Sequence, residues 1–433
     1  MSSEVIQVNE SPGHYLAEAA NVPPGYKRSE VGVIPEEWEV KQLRSISPSQ
    51  SVGLVINPSS YFDDDGTVPM LVGSNVGENV IHPEFASRIS AESNAQISAS
   101  RLSAGDLVTV RVGEPGVTAV VPPELDECNC ASMMIVRKHR SFDSTWLCFV
   151  MNSRIGRCQV ENVQYGTAQK QFNISDAICF VYPVPPLPEQ RIIAEVLSDV
   201  DGLLGALEML IAKKRAIKQA VMQQLLTGKT RLPGYSEEWK MKRVGEMGEI
   251  VTGGTPSTVI NEFWGGDYPW ITPTDIGSHR DMDVSERYLT KKGINTIRAL
   301  PADTVLVTCI ASIGKNAILK TKGGCNQQIN AVIPNKLHSP LFLYYVFEAS
   351  KEYLLANSGI TATRIISKSV FRELAFTIPT HDEQRAIATV LSDMDNKIAA
   401  LGRRLDKTRA IKQGMMQQLL TGRVRLVKSE EST

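Results

Sequence analysis

Between residues 187 and 231 the apolar side chains return every three or four positions: Leu197, Val200, Leu204, Leu207 and Ile211, then Val221 and Leu225. The same rhythm reappears at Leu391, Met394, Ile398, Leu401 and Leu405, then Met415 and Leu419. A seam held over about four heptads predicts two long helices, each with one apolar stripe. The stripe breaks at Lys214 and at Thr408. Pro188 precedes the first helix, Asp382 is the expected N-cap of the second, and Gly228 and Gly422 suit the stops. About 40 helical residues would span roughly 60 Å, more than the width of a small domain. The remaining sequence alternates over short runs broken by glycine turns, which predicts mixed modules of short strands with one or two helices.

The two helical stretches are copies. Glu189–Leu232 and Glu383–Leu426 align without a gap, with roughly 27 of about 44 positions identical. The modules between them are related more weakly. Ile34-Pro35-Glu36-Glu37-Trp38 resembles Tyr235-Ser236-Glu237-Glu238-Trp239, and Ser103-Ala104-Gly105-Asp106 resembles Pro301-Ala302-Asp303-Thr304. Each is followed by a β-rich run with a glycine turn, Glu114-Pro115-Gly116 or Ser312-Ile313-Gly314-Lys315. The expected order is an extension (1–24), a first module (25–186), a first helix (187–231), a second module (232–380), a second helix (381–426) and a short tail (427–433). Short connections favour antiparallel packing of the paired seams. The expected fold is therefore α+β: two pseudo-twofold-related mixed α/β modules separated by an antiparallel pair of coiled-coil helices.

Composition narrows the function classes. With 433 residues, 42% hydrophobic and 21% charged, the chain is long enough for two or three folded domains. No apolar run reaches the roughly 20 residues of a membrane span, and the N-terminus lacks a basic-then-apolar leader, so a cytoplasmic protein is expected. The seven cysteines contain no Cys-x-x-Cys pair and no two histidines stand at i, i+4, so the thiols read as reduced and mostly buried, with no metal site. The net charge of −1 means that any grip on nucleic acid must be local or shared with a partner.

No catalytic constellation stands out. No Asn or Asp precedes the Pro-Pro pairs at 23–24, 122–123 and 185–186, as an amino-methyltransferase site would require. Thr227-Gly228-Lys229-Thr230 resembles the end of a phosphate loop, but Gln223 stands where the loop needs glycine, and the second copy reads Arg423-Val424. Asp63-Asp64-Asp65 reads as a solvated acidic loop.

Pro-Leu-Pro-Glu-Gln-Arg leads into a helix ending Gln-Gln-Leu-Leu-Thr-Gly, and the helix occurs twice. With Gly25–Trp38, Pro269–Ile276 and Cys325–Asn330, this pattern resembles the specificity subunit of type I restriction–modification enzymes. The second copy departs from it, beginning Thr380-His381-Asp382. The resemblance covers nearly the whole chain after residue 25. It implies two target-recognition domains that each read half of a split double-stranded DNA site, and helices that set the gap and dock two methyltransferase subunits. Restriction–translocation subunits would join them. It implies no cofactor in this chain; S-adenosylmethionine, ATP and magnesium would belong to the partners, and the subunit itself would be non-catalytic.

Base readers need polar side chains on loops that reach a groove. In the first module these are Ser74, Asn75, Arg111, Gln164, Tyr165, Thr167, Gln169 and Lys170. In the second they are Thr255, Ser257, Thr274, Lys315, Gln327, Gln328, Thr361, Thr363 and Arg364. Lys213, Lys214, Arg215 and Lys218, matched by Lys407, Arg409 and Lys412 with Arg403 and Arg404 nearby, read either as a solvated helix face or as a strip facing phosphates or a subunit. Two alternatives stay open: a helical assembly adaptor without DNA readout, and a diverged stand-alone methyltransferase or nuclease.

Overall fold

A computed structural model describes residues 22–167, 169–277, 279–359 and 363–426. The two long helices run over Leu187–Leu226 and His381–Leu419. Both start earlier than the capping signals suggested. The Gln190 amide already donates to Pro186 O and the Gln384 amide to Thr380 O, so Pro188 and Asp382 lie inside the first turns. Proline is tolerated there because its missing N–H would have no helical partner. Asp382 and Glu383 instead place negative charge at the positive end of the helix dipole. The stops are as expected: Gly228 and Gly422 adopt left-handed φ of 70° and 69°, a conformation that costs glycine little.

The chain divides into two compact units, one of residues 1–206 with 405–433 and one of residues 207–404. Each unit thus contains one half of each long helix. In the first unit Lys412 pairs with Asp201 at 2.5 Å and Arg425 with Glu189, so its two helical segments run antiparallel. In the second, Lys218 pairs with Asp395 at 2.5 Å and Arg231 with Glu383, with the same result. Leu197, Leu207, Ile211, Leu391 and Leu405 of the seam are buried. Val200, Leu204, Met394, Ile398 and Leu401 are half-buried.

The first unit is built on a four-stranded sheet in the order Thr118–Val120, Leu107–Val110, Met133–Val136, Gln50–Val52, antiparallel throughout. A smaller sheet joins Asn129–Cys130, Val68–Leu71 and Ser87–Ile89, the first pair parallel. The second unit repeats the plan. Its larger sheet runs Gly248–Thr252, Ile329–Pro334, Thr304–Thr308, Asn316–Leu319, Asp281–Met282, and its smaller one Arg287–Leu289, Trp264–Ile271, Gly324–Cys325. The inner strands of each larger sheet are buried on both faces, so each face needs a cover, and one of them is covered by helices. In the first unit that cover includes Trp146, Phe149, Leu197, Leu419 and Leu420 in one cluster; in the second it includes Phe342, Tyr345, Met222, Leu225 and Leu391. Helix and module therefore share one core within each unit. Cys128, Cys130, Cys148, Cys309 and Cys325 are buried and unpaired, and burial raises their thiol pKa values.

Candidate nucleic-acid interface

Two loop systems recur at equivalent places in the two units. The first is a turn leaving the central strand of the smaller sheet. Asn75 accepts the Val72 amide on its side-chain oxygen at 2.9 Å, and Asp275 accepts the Thr272 amide at 2.8 Å. The caps leave Ser74 and Thr274 exposed at the tips, with the Thr274 hydroxyl 2.7 Å from that of Thr272. Asn75 itself is 1% exposed. Its amide shapes the turn and is not presented to a groove, which corrects its place among the base readers. A short polar residue at a turn serves its own backbone as readily as a ligand.

The second system is the glycine turn after the strand at the middle of the larger sheet. Gly116 and Gly314 take left-handed φ of 91° and 85°. A separate loop lies against each turn by backbone pairing. In the first unit Gln171 bridges to Val112 and Tyr165, Gly113 donates its amide to Lys170 O at 3.1 Å, and Phe172 donates to Arg111 O. In the second unit Ile365 bridges to Ile310 and Gly359, Ala311 donates to Arg364 O at 3.1 Å, and Ile366 donates to Cys309 O. The fold thus sets the loop that carries Gln164, Tyr165, Thr167, Gln169 and Lys170 against the turn that follows Arg111, and the loop that carries Thr363 and Arg364 against the turn that carries Lys315. Gln164 and Lys170 line a cleft of 490 Å³ with Arg157, Glu114 and Glu161. The Tyr165 hydroxyl donates to Asn173 at 2.9 Å, and Arg111 Nε donates to Phe172 O at 3.3 Å, so both side chains also stiffen the loop. Thr361 lies outside the described residues.

Thr255 and Gln327 meet elsewhere on the second unit, hydroxyl to amide oxygen at 2.6 Å, both exposed. Ser257 is exposed, and its carbonyl accepts the Trp264 indole N–H at 3.1 Å. Gln328 is half-buried and accepts from Asn326 at 3.0 Å.

The basic strip does not survive intact as a solvent face. Lys218 and Lys412 are largely covered: each sits between a carboxylate of the other helix and an aromatic ring, Tyr345 at 5.4 Å and Phe149 at 5.3 Å. Those two lysines hold helix to module. Lys213, Arg215, Arg403 and Lys407 remain exposed, and Lys214 is half-buried.

The duplicated ends of the helices carry a role that the sequence reading left unassigned. Glu189 is buried and accepts the Trp38 indole N–H at 3.0 Å while Arg425 donates to both its oxygens. Glu383 accepts from Trp239 at 3.1 Å and from Arg231 on both oxygens. Gln190 and Gln384 each take a backbone amide from the adjoining module, that of Asp143 and of Ser339. The signal was present in the identical Glu-Gln pairs and in the arginine three residues beyond each glycine stop. Only the fold shows that these residues meet.

Residues 236–408 match the family described as type I restriction modification DNA specificity domain. The specificity subunit of the type I restriction enzyme MjaIX from Methanocaldococcus jannaschii is 38% identical over 168 residues, 37% of this chain and 39% of that protein. The EcoR124I/EcoR124II specificity subunit of Escherichia coli is 28% identical over 224 residues, 49% of this chain and 54% of that protein. These two alignments therefore span less than two thirds of either relative. The putative MjaX specificity subunit, from the same archaeon, is 21% identical over 93% of this chain and 97% of its own length. Among solved structures, a chain from a type I R-M system studied for complex assembly and conformational transition superposes with a TM-score of 0.59 at 18% identity, over 90% of this chain and 99% of that one. The type I restriction-modification S subunit of M. genitalium gives 0.56 at 14% identity, over 88% and 96%. Residues 236–408, less than half of the chain, thus resemble the type I restriction modification DNA specificity domain, and over most of its length the chain shares its fold with the type I restriction-modification S subunit of M. genitalium.

Proposed function

We propose that this chain reads a split, asymmetric double-stranded DNA target, one half-site per module, for a type I restriction–modification complex. One observation carries the reading furthest. The same turn-and-loop scaffold occurs in both units, while the side chains on it differ: exposed Glu114 against half-buried Ser312, buried Val117 against exposed Lys315, and exposed Tyr165 against Gly359. A rigid frame that carries unlike polar groups is what two different half-sites require. Methyltransferase subunits would dock on the helices, restriction–translocation subunits would join them, and these partners would bring S-adenosylmethionine, ATP and magnesium. The chain's own part is recognition and positioning, without bond making or breaking, in the cytoplasm where the DNA lies. A near-neutral net charge fits an arrangement in which the partners supply much of the hold on the phosphate backbone.

Sequencing the methylated positions of the host genome with and without this gene tests the proposal. A split motif with a fixed gap should vanish on deletion and return on complementation. An unchanged set of methylated sites would overturn DNA readout in favour of an assembly role. Methyl transfer or cleavage by the purified chain alone, supplied with all three cofactors, would overturn the non-catalytic part.

A further inference from the structure

In a chain whose charges nearly cancel, Lys170 and Arg364 stand out by their placement. Each follows the tip of its pinned loop, and each gives its carbonyl to the first residue of the glycine turn, Gly113 or Ala311, at 3.1 Å. The next residue of each loop, Gln171 or Ile365, is bridged to the strand exit at Val112 or Ile310. The two positions are therefore structural equivalents. Both side chains are exposed, and neither has an ion-pair partner among the described residues. Around them the loops diverge: Gln164-Tyr165 stands against Ser358-Gly359. What the two loops keep is the sign of the charge.

The backbone at these places is tightly held. Gly113 and Ala311 both take left-handed φ, 96° and 62°. A side chain on Gly166, at φ 100°, would meet Gln169 O at 2.2 Å. A second basic residue lies against each turn from the neighbouring helix. Arg157 donates to Pro115 O at 3.2 Å, and Lys351 lies within 3 Å of a side-chain carbon built on Gly314.

We propose that Lys170 and Arg364 are phosphate-positioning residues, which hold the DNA backbone at the same point of each module and do not read bases. This rests on the DNA-reading function proposed above and divides its candidate residues. A base reader has to change when the half-site changes. A backbone contact has only to remain cationic, because every nucleotide offers the same phosphate. Lysine and arginine at one rigid position, amid loops that otherwise differ, meet that second requirement.

The test uses the full chain with the methyltransferase subunits that co-purify with it. The probes are a duplex carrying the host's methylated motif and a scrambled duplex of equal length. Lys170→Gln and Arg364→Gln should weaken both duplexes by a similar factor. Each should lower the slope of log affinity against log salt by about one. The methylated motif should stay unchanged, and K170R and R364K should restore both affinity and slope. A change at one half-site of the motif would overturn the proposal by making the residue a base reader. Unaltered affinity and slope would overturn it by placing the residue away from DNA. Failure of the wild-type complex to prefer its motif duplex would instead sink the DNA-reading function itself, and this inference with it.

Discussion

Arg425 grips Glu189 with two nitrogens, Nε and Nη2, at 2.5 and 2.8 Å, although 236 residues separate them in sequence. Arg231 grips Glu383 the same way in the second unit. In both, a tryptophan indole supplies a further hydrogen bond to the carboxylate. The end of one repeat is thereby fastened to the start of the other and to the entry of a module.

Removing the carboxylate charge should be costly. Glu189→Gln removes the buried one of the two carboxylates that face Arg425, leaving only the exposed Glu37, and breaking a buried pair from one side costs roughly 3 kcal/mol. Urea unfolding followed by tryptophan fluorescence should show a lowered midpoint for the first unit, with E383Q acting on the second. A loss under about 0.5 kcal/mol, the scale of an exposed pair, would show that the clamp is dispensable.

The glycine stops should respond unequally to alanine. Both carry left-handed φ, which costs an alanine about 1 kcal/mol. A side chain on Gly228 would meet the Trp239 ring at 3.5 Å, an ordinary contact, whereas one on Gly422 would lie 2.5 Å from Pro35 Cδ. Gly422→Ala should therefore destabilise clearly more than Gly228→Ala. Thermal melts of the two variants measure the gap, and equal losses would mean that backbone strain alone matters.

One pH response follows from His338. Burial, then Lys242 and His381, hold its pKa below 6.5, and Glu246 opposes them. The unfolded chain therefore binds this proton at higher pH than the folded one. The associated stability is complete above about pH 6.5 and is lost as pH falls towards the lowered folded value. His338→Gln should flatten the urea midpoint of the second unit between pH 7 and 5. A variant that followed the wild-type curve would assign the acid sensitivity elsewhere.

The thiols offer a map of burial. Cys179 is exposed, while burial pushes Cys309 up to about 11 and Cys128 and Cys325 to about 12. At pH 8 those three would be thiolate in roughly one molecule in a thousand or fewer. Iodoacetamide with peptide mapping should mark Cys179 first. Equal labelling of Cys325 would show that its core opens readily.

Much of the architecture could be read along the chain because it depends on local periodicity. The seam from Leu197 to Ile211 and its copy specify two helices whatever lies beside them, and the glycine stops follow from backbone sterics. Base-reader assignment was less legible. Asn75 and Ser74 look alike as turn residues, yet one side chain is spent on the Val72 amide and the other faces solvent. Lys218 and Lys412 look like surface charges until an aspartate and an aromatic ring enclose them.

The sequence by itself determined the duplication, the helices, the alternation of helix and module and the resemblance to a known family. Each of these is a pattern of residue types at fixed spacing. Tertiary structure alone decided that Glu189 meets Arg425, that half of each helix completes each unit's core, and that Lys170 and Arg364 occupy equivalent corners. Those pairings join residues far apart in the chain. They are chosen by which surfaces exclude water together and which buried charges find partners, and that choice is made only when the whole unit packs.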